Sequence, residues 1–188
     1  MKKQTCTWVK HELDHFYHDN EWGIPKHADQ KIFETLILET FQAGLSWITI
    51  LKKRENFRAA FDNFDRAKIA LYQEDKIQEL LENKGIIRNK LKVRATVTNA
   101  IRFKEVQQEF GTFDKYIWQF VKGKTIQNTW KTSAEVPVST PESDAMTKDL
   151  KKRGFKFIGT TTCYAFMQAI GMVNDHLTTC FRYDAVQH

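Results

Sequence analysis

The chain has 188 residues, of which 41% are hydrophobic and 28% charged, and it carries a formal net charge of +6. This length and apolar content exclude a disordered chain and predict a single compact domain over residues 1–188. The excess of lysine and arginine favours an anionic partner such as nucleic acid, although a solvated basic surface explains it equally well.

Apolar residues recur at helical spacing along most of the chain, and no β-alternation of useful length is found. The first such pattern, over 29–43, stops at Gly44. Ser46 is then a candidate N-cap for a second helix from Trp47 to about Phe61. The sequence therefore predicts two helices that meet across a tight turn.

A second pair of helices is predicted further on. Asp65 can cap a short helix, the segment 74–83 is amphipathic, and helical spacing resumes over 91–108. The turn at Gly85 between the last two segments can present backbone N–H groups to a phosphate, although many helix pairs turn on glycine without such a role. Four basic residues near this turn add positive charge: Arg88, Lys90, Lys92 and Arg94.

The stretch from Pro137 to Pro141 is the best candidate for a crossing between two intimate helical lobes, because it combines prolines with small polar residues. Thr140 is a candidate N-cap for a helix that begins at Pro141 and ends near Gly154. An apolar helix is predicted over 163–170. The fold class predicted from these patterns is all-α.

Three cysteines are too few, and odd in number, for a disulfide framework, which favours a reducing compartment. The first ten residues lack the apolar run of a signal peptide, and no later stretch approaches the length of a membrane span. We therefore expect a soluble intracellular protein with no membrane partner.

Two cysteine and histidine pairs lie at opposite ends of the sequence. Cys6 and His18 are near the start, whereas His176 and Cys180 are near the end. The spacing of the second pair would place both side chains on one face of a helix, and two cysteines with two histidines are a common structural zinc set. The alternative is two buried cysteines and two surface histidines that bind nothing.

Six blocks of sequence resemble one family. They are YHDNEWG at 17–23, QAGLSWIT at 42–49, LKKREN at 51–56, STP at 139–141, KKRGFKF at 151–157 and NDH at 174–176. Together they make the chain similar, over about residues 6–180, to the DNA-3-methyladenine glycosylase I family of constitutive bacterial enzymes.

This resemblance implies the all-helical fold of the helix-hairpin-helix glycosylases, with a structural Zn²⁺ that joins the two ends through Cys6, His18, His176 and Cys180. It also implies a DNA-binding hairpin at Gly85, Ile86 and Arg88, which carries only one of the two glycines common in the wider superfamily. The implied protein is a monomer of the bacterial cytoplasm that acts on alkylated double-stranded DNA and releases free 3-methyladenine.

The implied activity is base excision without a lyase step. Methylation at N3 makes adenine cationic and a good leaving group, so the harder task is to extrude the damaged base and reject normal adenine. A lyase step would need a lysine nucleophile in the pocket, and the lysines here lie in stretches that read as solvated.

The resemblance also assigns roles to individual residues. Glu39 matches the base-recognising carboxylate and is the candidate catalytic residue, and Tyr17 and Trp47 match aromatic residues that line the pocket. Without the family, Glu39 reads as a solvated residue at the border of a helix, and the two aromatic residues read as core.

Two further pairs receive roles in the same way. Leu45 becomes the wedge that enters the base stack, and Gly44 allows close approach of the backbone. Thr160 and Thr161 become possible hydroxyl contacts to the base. Without the family, these residues read as a helix stop, a core leucine and the start of a helix.

One departure from the family pattern concerns Asp14, which stands where family members commonly carry a second pocket tyrosine. It either attracts a cationic base by charge or points away while Phe16 compensates. Asp14 makes a glycosylase with a shifted alkylpurine preference conceivable. Two further rivals stay open at this stage: a non-catalytic DNA-binding zinc module and a zinc hydrolase.

Overall fold

The computed structural model describes residues 4–186, and this part of the chain is mostly helical. Two very short strands pair in parallel, with Ile126 opposite Val173, and they were not expected from the sequence. The all-α fold class is otherwise confirmed. In chain order the elements are α1 (Glu12–Asn20), α2 (Asp29–Gln42), α3 (Trp47–Ala60), α4 (Arg66–Ile69), α5 (Glu74–Glu82), α6 (Lys90–Phe110), α7 (Phe113–Trp118), β1 (Ile126–Gln127), α8 (Pro141–Lys152), α9 (Thr160–Ala169) and β2 (Val173–Asn174).

Two of the three predicted N-caps form as expected. The Asp65 carboxylate accepts backbone N–H bonds at the start of α4, and the Thr140 hydroxyl accepts one at the start of α8, where Pro141 takes the first position. Ser46 precedes α3 as predicted, but its hydroxyl bonds the hydroxyl of Thr49 at 2.8 Å instead of a backbone N–H. The caps explain why these helices begin where they do.

Helix α2 runs through the centre of the main hydrophobic core and packs against α3, α6, α7 and α9. Nearly every residue over 32–41 is buried, so the helix is covered on all sides, and Ile32, Phe33 and Ile37 are each 0% exposed. Full burial of one such side chain stabilises the fold by roughly 2 kcal/mol. The helix that carries Glu39 is therefore held rigidly from several sides.

A second, smaller apolar cluster brings the two ends of the described chain together. It includes Cys6 and Tyr17 from the N-terminal part and Leu177 and Cys180 from the C-terminal part. The backbone N–H of Phe181 also donates to the carbonyl of Gln4 at 3.0 Å. The junction of the termini is thus a packed part of the fold.

The stretch 137–139 connects a short 3₁₀ turn to α8. Residues on both sides of it share the main core, since Met146 and Leu150 of α8 pack in the same cluster as Phe113 and Tyr116 of α7. The division into two lobes and the extent of a single domain stay predictions. None of the helices in residues 4–186 is both long and apolar enough to cross a membrane.

Candidate functional site

The four predicted metal ligands meet in the cluster that joins the ends of the chain. Cys6, His18, His176 and Cys180 are at most 4% exposed, and their ligand atoms all lie within 4.8 Å of one another. The Sγ of Cys180 is 3.4 Å from Nε2 of His18 and 3.7 Å from Nδ1 of His176, which is also 3.7 Å from Sγ of Cys6. This buried group can hold a metal ion.

The histidines are oriented by partners on their other ring nitrogens. Nδ1 of His18 lies 2.6 Å from the Asp19 carboxylate, and Nε2 of His176 lies 3.2 Å from the carbonyl of Trp22. A hydrogen bond on one nitrogen leaves the other as a lone-pair donor that faces the cluster. The hydrogen bond from the Cys6 thiol, with smaller contributions from the two histidines, lowers the pKa of Cys180, which favours a thiolate.

The predicted helical spacing of His176 and Cys180 is wrong. These residues follow β2 in a series of turns, and the described chain has no helix there. The side chain of Asn174 accepts the backbone N–H of His176 at 3.2 Å, and Cys180 N–H donates to the Leu177 carbonyl at 2.7 Å. A local side-chain acceptor competes with the first helical turn, so the ligands converge through a loop.

A cavity of about 400 Å³ lies next to this cluster, and four aromatic rings form part of its wall. Tyr17 and Trp47 pack at a centroid distance of 5.1 Å, and Trp8 and Trp22 meet edge to face at 5.2 Å. This size is typical of small-molecule sites. The polar members of the lining are Glu39, Gln42, Gln168, Asp175, Ser133 and Thr7.

Glu39 is 4% exposed and lines this cavity, and no described residue donates a hydrogen bond to its carboxyl group. Burial raises the pKa of Glu39 to about 8, against the opposing effect of the Lys26 ammonium. The carboxyl group is therefore ready to accept hydrogen bonds and positive charge from a ligand, because either would replace the water it has lost.

Indole N–H groups add unpaired donors to the walls of the cavity. The Nε1 atoms of Trp8 and Trp47 are buried and have no hydrogen-bond partner among the described residues. A buried donor without a partner is costly to the fold. The sequence analysis did not identify Trp8 as a site residue, because it lies outside the six blocks that carry the resemblance.

Asp175 was also missed as a site residue, although it lies within a block that carries the resemblance. It is 2% exposed, and its carboxylate accepts four hydrogen bonds of 2.7–2.8 Å, from Asn128, Trp130, Tyr164 and Gln168. With that many donors, Asp175 holds the wall of the cavity together and its carboxylate has little capacity left for a ligand.

The predicted wedge lies at the rim of this region, in the turn between α2 and α3. Gly44 has φ +82°, a conformation that favours glycine, and nothing lies within 4 Å of where a Cβ would be. Leu45 is 38% exposed, so it is not the core leucine of the alternative interpretation. Gln42 closes the turn, since its carbonyl accepts from Leu45 N–H at 2.7 Å and its side-chain amide donates to the Leu45 carbonyl at 2.8 Å.

The predicted hairpin joins α5 and α6. Ile86 is buried and anchors the turn, whereas Arg88 is exposed. The backbone N–H groups of Ile87 and Arg88 donate to no described residue, so they are free to meet a phosphate. The Gly85 carbonyl is held from α3, by the side chains of Lys53 at 3.2 Å and Asn56 at 3.3 Å.

Three expectations about side-chain direction are corrected by the structure. Thr160 lies outside the cavity lining and its hydroxyl bonds Ser143 and Asp144 of α8, because it begins α9 where that helix packs on α8. Thr161 is exposed and lies outside the lining as well. Lys92 is 6% exposed and faces the end of α2, so its charge is not available to a phosphate.

Asp14 also points away from the cavity. It is 5% exposed, and its carboxylate accepts the backbone N–H groups of Lys10 at 3.2 Å and His11 at 3.1 Å, before the first turn of α1. The carboxylate therefore stabilises the start of α1 by accepting hydrogen bonds from backbone N–H groups. Phe16 is 57% exposed and does not line the cavity in its place.

Comparisons with known proteins identify the family of this chain. A family model described as methyladenine glycosylase matches residues 8–183. The DNA-3-methyladenine glycosylase 1 of Escherichia coli (strain K12) is 48% identical over 181 residues, which cover 96% of this chain and 97% of that protein.

Solved structures show the same similarity. A crystal structure of 3-methyladenine DNA glycosylase I superposes with a TM-score of 0.93 at 51% identity and covers 95% of this chain and 98% of its own. The Staphylococcus aureus 3-methyladenine DNA glycosylase I, solved to explain how it recognises 3-methyladenine, has a TM-score of 0.91 at 33% identity, with 94% and 95% of the two chains covered.

Proposed function

The chain belongs to the methyladenine glycosylase family, and from this premise we propose how its residues remove 3-methyladenine from DNA. It is a monofunctional DNA glycosylase of base-excision repair, a hydrolase of N-glycosyl bonds. The observation that carries the proposal is the buried, unpaired carboxyl group of Glu39 in a cavity partly walled by aromatic rings.

The substrate explains why such a cavity suffices. Methylation at N3 gives the adenine ring a positive charge, so the bond to deoxyribose breaks to release a neutral base without a strong acid from the protein. Selection of the damaged base then rests on binding the flipped cation better than neutral adenine. A site that stabilises positive charge on the ring meets this need.

We propose that Tyr17 and Trp47 provide π-faces for the flipped base and that Glu39 accepts hydrogen bonds from its edge. A cationic ring gains more from an aromatic face than a neutral one does. In the free protein, burial raises the pKa of Glu39 to about 8. The positive charge of the bound base favours the ionised form of this carboxyl group. Normal adenine offers hydrogen-bond donors but no positive charge, so it does not stabilise the ionised carboxyl group in the same way.

On the DNA side, we propose that Leu45 enters the stack at the vacated position while the hairpin at Gly85, Ile86 and Arg88 holds the phosphates. Leu45 is exposed on a turn that Gly44 keeps narrow. The free N–H groups of the hairpin and the exposed Arg88 suit anionic oxygens. Together with the net charge of +6, this arrangement supports alkylated double-stranded DNA as the partner.

We propose that the ion held by Cys6, His18, His176 and Cys180 is a structural Zn²⁺. Tetrahedral zinc with ordinary bond lengths places sulfur and nitrogen ligands about 3.6 Å apart, and the three measured sulfur to nitrogen distances are 3.4–3.7 Å. When bound, the ion supplies a crosslink between the ends of the chain. Four protein ligands complete a tetrahedral shell, which disfavours the zinc hydrolase alternative.

The lining of the cavity supports base release without a lyase step. Its described members include no lysine. Lys26, whose charge acts on Glu39, donates its ammonium protons to the carbonyls of Glu21 and Ala169 outside the cavity. A Schiff base would need a lysine that can reach the sugar carbon, and none of the lining residues provides one.

The reason to consider a shifted alkylpurine preference was Asp14, and the structure places that carboxylate on backbone N–H groups of α1. We therefore propose 3-methyladenine as the main substrate and free 3-methyladenine as the product. We further propose, as the family resemblance implies, a monomer of the bacterial cytoplasm, where its free cysteines would stay reduced.

The experiment that tests this proposal measures release of free 3-methyladenine from methylated double-stranded DNA by the native protein and by Glu39→Gln. We expect the variant to lose roughly 10- to 100-fold in kcat/KM, the cost of a charge-assisted hydrogen bond at the base. Glu34→Gln is the matched control, because Glu34 is 7% exposed on the same helix but pairs with Arg58 outside the cavity.

Each outcome has a meaning. Loss in Glu39→Gln with near-native release in Glu34→Gln supports recognition through Glu39. Equal loss in both folded variants shows that removing any carboxylate from α2 is enough, and the proposed role of Glu39 then fails. No release by the zinc-loaded native protein contradicts 3-methyladenine as its substrate.

A further inference from the structure

The ammonium group of Lys92 is buried between two turns. One is the wedge turn, residues 43–46 between α2 and α3, and the other is the hairpin, residues 85–88 between α5 and α6. Lys92 stands in the first turn of α6, directly after the hairpin, and is 6% exposed. Its Nζ donates to the carbonyl of Phe41 at 2.9 Å and to that of Ala43 at 2.6 Å. Both carbonyls are at the C-terminal end of α2, where the helix itself offers no partner and the helix dipole is negative.

Through Lys92, helix α6 donates hydrogen bonds to the start of the wedge turn. Within the turn, Gln42 bonds both backbone groups of Leu45. Ala43 has left the helix, with φ −49° and ψ 117°, and its carbonyl accepts from Lys92. The direction in which the chain leaves α2 toward Gly44 therefore depends on a cation contributed by α6.

The hairpin is held by the wedge side in return. The side chains of Lys53 and Asn56, on α3, donate to the carbonyls of Lys84 and Gly85 at 3.2–3.3 Å. Helix α3 begins directly after the wedge turn, and α6 begins directly after the hairpin. Each turn is thus fastened by the helix that follows the other turn, and the two form one interlocked unit.

We propose that Lys92 is a positioning residue for base extrusion, which holds the wedge turn at a set place relative to the phosphate-binding hairpin. The hairpin binds the phosphates of the DNA. Lys92 fixes the position of the wedge turn relative to the hairpin, so that the Leu45 side chain enters the base stack beside the damaged base. Small misplacement of a group that must act at one base step is costly. The inference rests on the proposed wedge role of Leu45.

Burial supports this assignment. It lowers the pKa of Lys92 from its ordinary value, and the acceptors that compensate the cation are backbone carbonyls rather than a carboxylate. Truncation would leave two carbonyls at the end of α2 without their donor. The turn would then be free to move, whereas the pocket residues of α1, α2 and α3 keep their packing.

The test compares Lys92→Met with Lys104→Met, a control for loss of a lysine farther along the same helix. Three quantities are measured on folded protein: affinity for free 3-methyladenine by tryptophan fluorescence, excision from methylated duplex DNA under single-turnover conditions, and fluorescence of 2-aminopurine placed beside an abasic-site analogue. The first needs only the pocket, whereas the other two need the wedge.

For Lys92→Met we expect base affinity within about twofold of native, and duplex excision and the 2-aminopurine signal reduced about tenfold or more, the cost of losing a charge-assisted hydrogen bond. Lys92→Arg, which keeps charge and donors, should recover part of the loss. If Lys92→Met does not fold, Lys92→Gln, which keeps N–H donors without charge, takes its place under the same comparison.

Other results overturn the inference. If base affinity and duplex excision fall in parallel, or if neither falls, Lys92 only stabilises the fold. Leu45→Ala separates this failure from that of the proposed wedge. A Leu45→Ala variant with native duplex excision refutes the wedge itself, whereas an impaired Leu45→Ala beside an unimpaired Lys92→Met refutes the role of Lys92 alone.

Discussion

Glu39→Gln should make the protein more stable as well as less active, and the gain should depend on pH. Burial raises the pKa of Glu39 from its ordinary value of 4.5 to about 8. A group with a raised pKa in the folded state favours folding in its protonated form, so its contribution is fully present below pH 4.5 and is lost between pH 4.5 and pH 8. Glutamine does not ionise and avoids that loss.

The size of the effect follows from these two values. Between about pH 5 and pH 9, ionisation of Glu39 should reduce the free energy of unfolding of the native protein, relative to the variant, by about 4 kcal/mol. The Lys26 ammonium opposes the rise in the pKa of Glu39, and its own pKa is lowered by burial to about 8. Differences between variants cancel the titration of shared groups that do not interact with Glu39.

The assay is urea unfolding followed by tryptophan fluorescence at several pH values, with saturating zinc throughout. Glu82→Gln, at an exposed carboxylate at the end of α5, is the control for loss of a carboxylate away from the cavity. The same titration predicts that kcat/KM of the native enzyme rises toward about pH 8 and levels off above it. A stability difference for Glu39→Gln that does not grow with pH would refute the reasoning, because Glu39 would then be ionised in the free protein at neutral pH.

Two further predictions concern the metal and Asp14. Cys180→Ser should abolish the binding of zinc, as measured by native mass spectrometry. Removal of zinc from the unmodified protein by a chelator should lower the free energy of unfolding by several kcal/mol, since a structural metal is part of the folding free energy. Full stability without metal would contradict the structural role. Asp14→Ala should cost about 1 kcal/mol of stability through loss of the α1 cap while affinity for free 3-methyladenine stays native; a large change in that affinity with little loss of stability would show that Asp14 faces the base after all.

Local patterns in the sequence determined most of the helices. The periodic apolar positions of α2, the Asp65 and Thr140 caps and the break at Gly44 all act within about four residues, which is the range over which helical side chains and caps interact. The six family blocks, together with the four Cys and His ligands, were likewise legible in the sequence, because both depend on residue type and order. Family membership and the composition of the metal group were therefore available before any coordinates.

Only the tertiary structure decided where several side chains point. Lys92 looked like a phosphate-binding lysine beside the hairpin, yet its ammonium binds carbonyls at Phe41 and Ala43, residues distant in the chain. The Thr160 hydroxyl bonds a side chain of α8, and the Asp14 carboxylate accepts a backbone N–H at the start of α1. Trp8 lines the cavity because the two ends of the described chain pack together. Charge and helical period say how a residue sits on its own element, whereas burial and partners depend on which elements pack together, and that is set by contacts over long sequence separation.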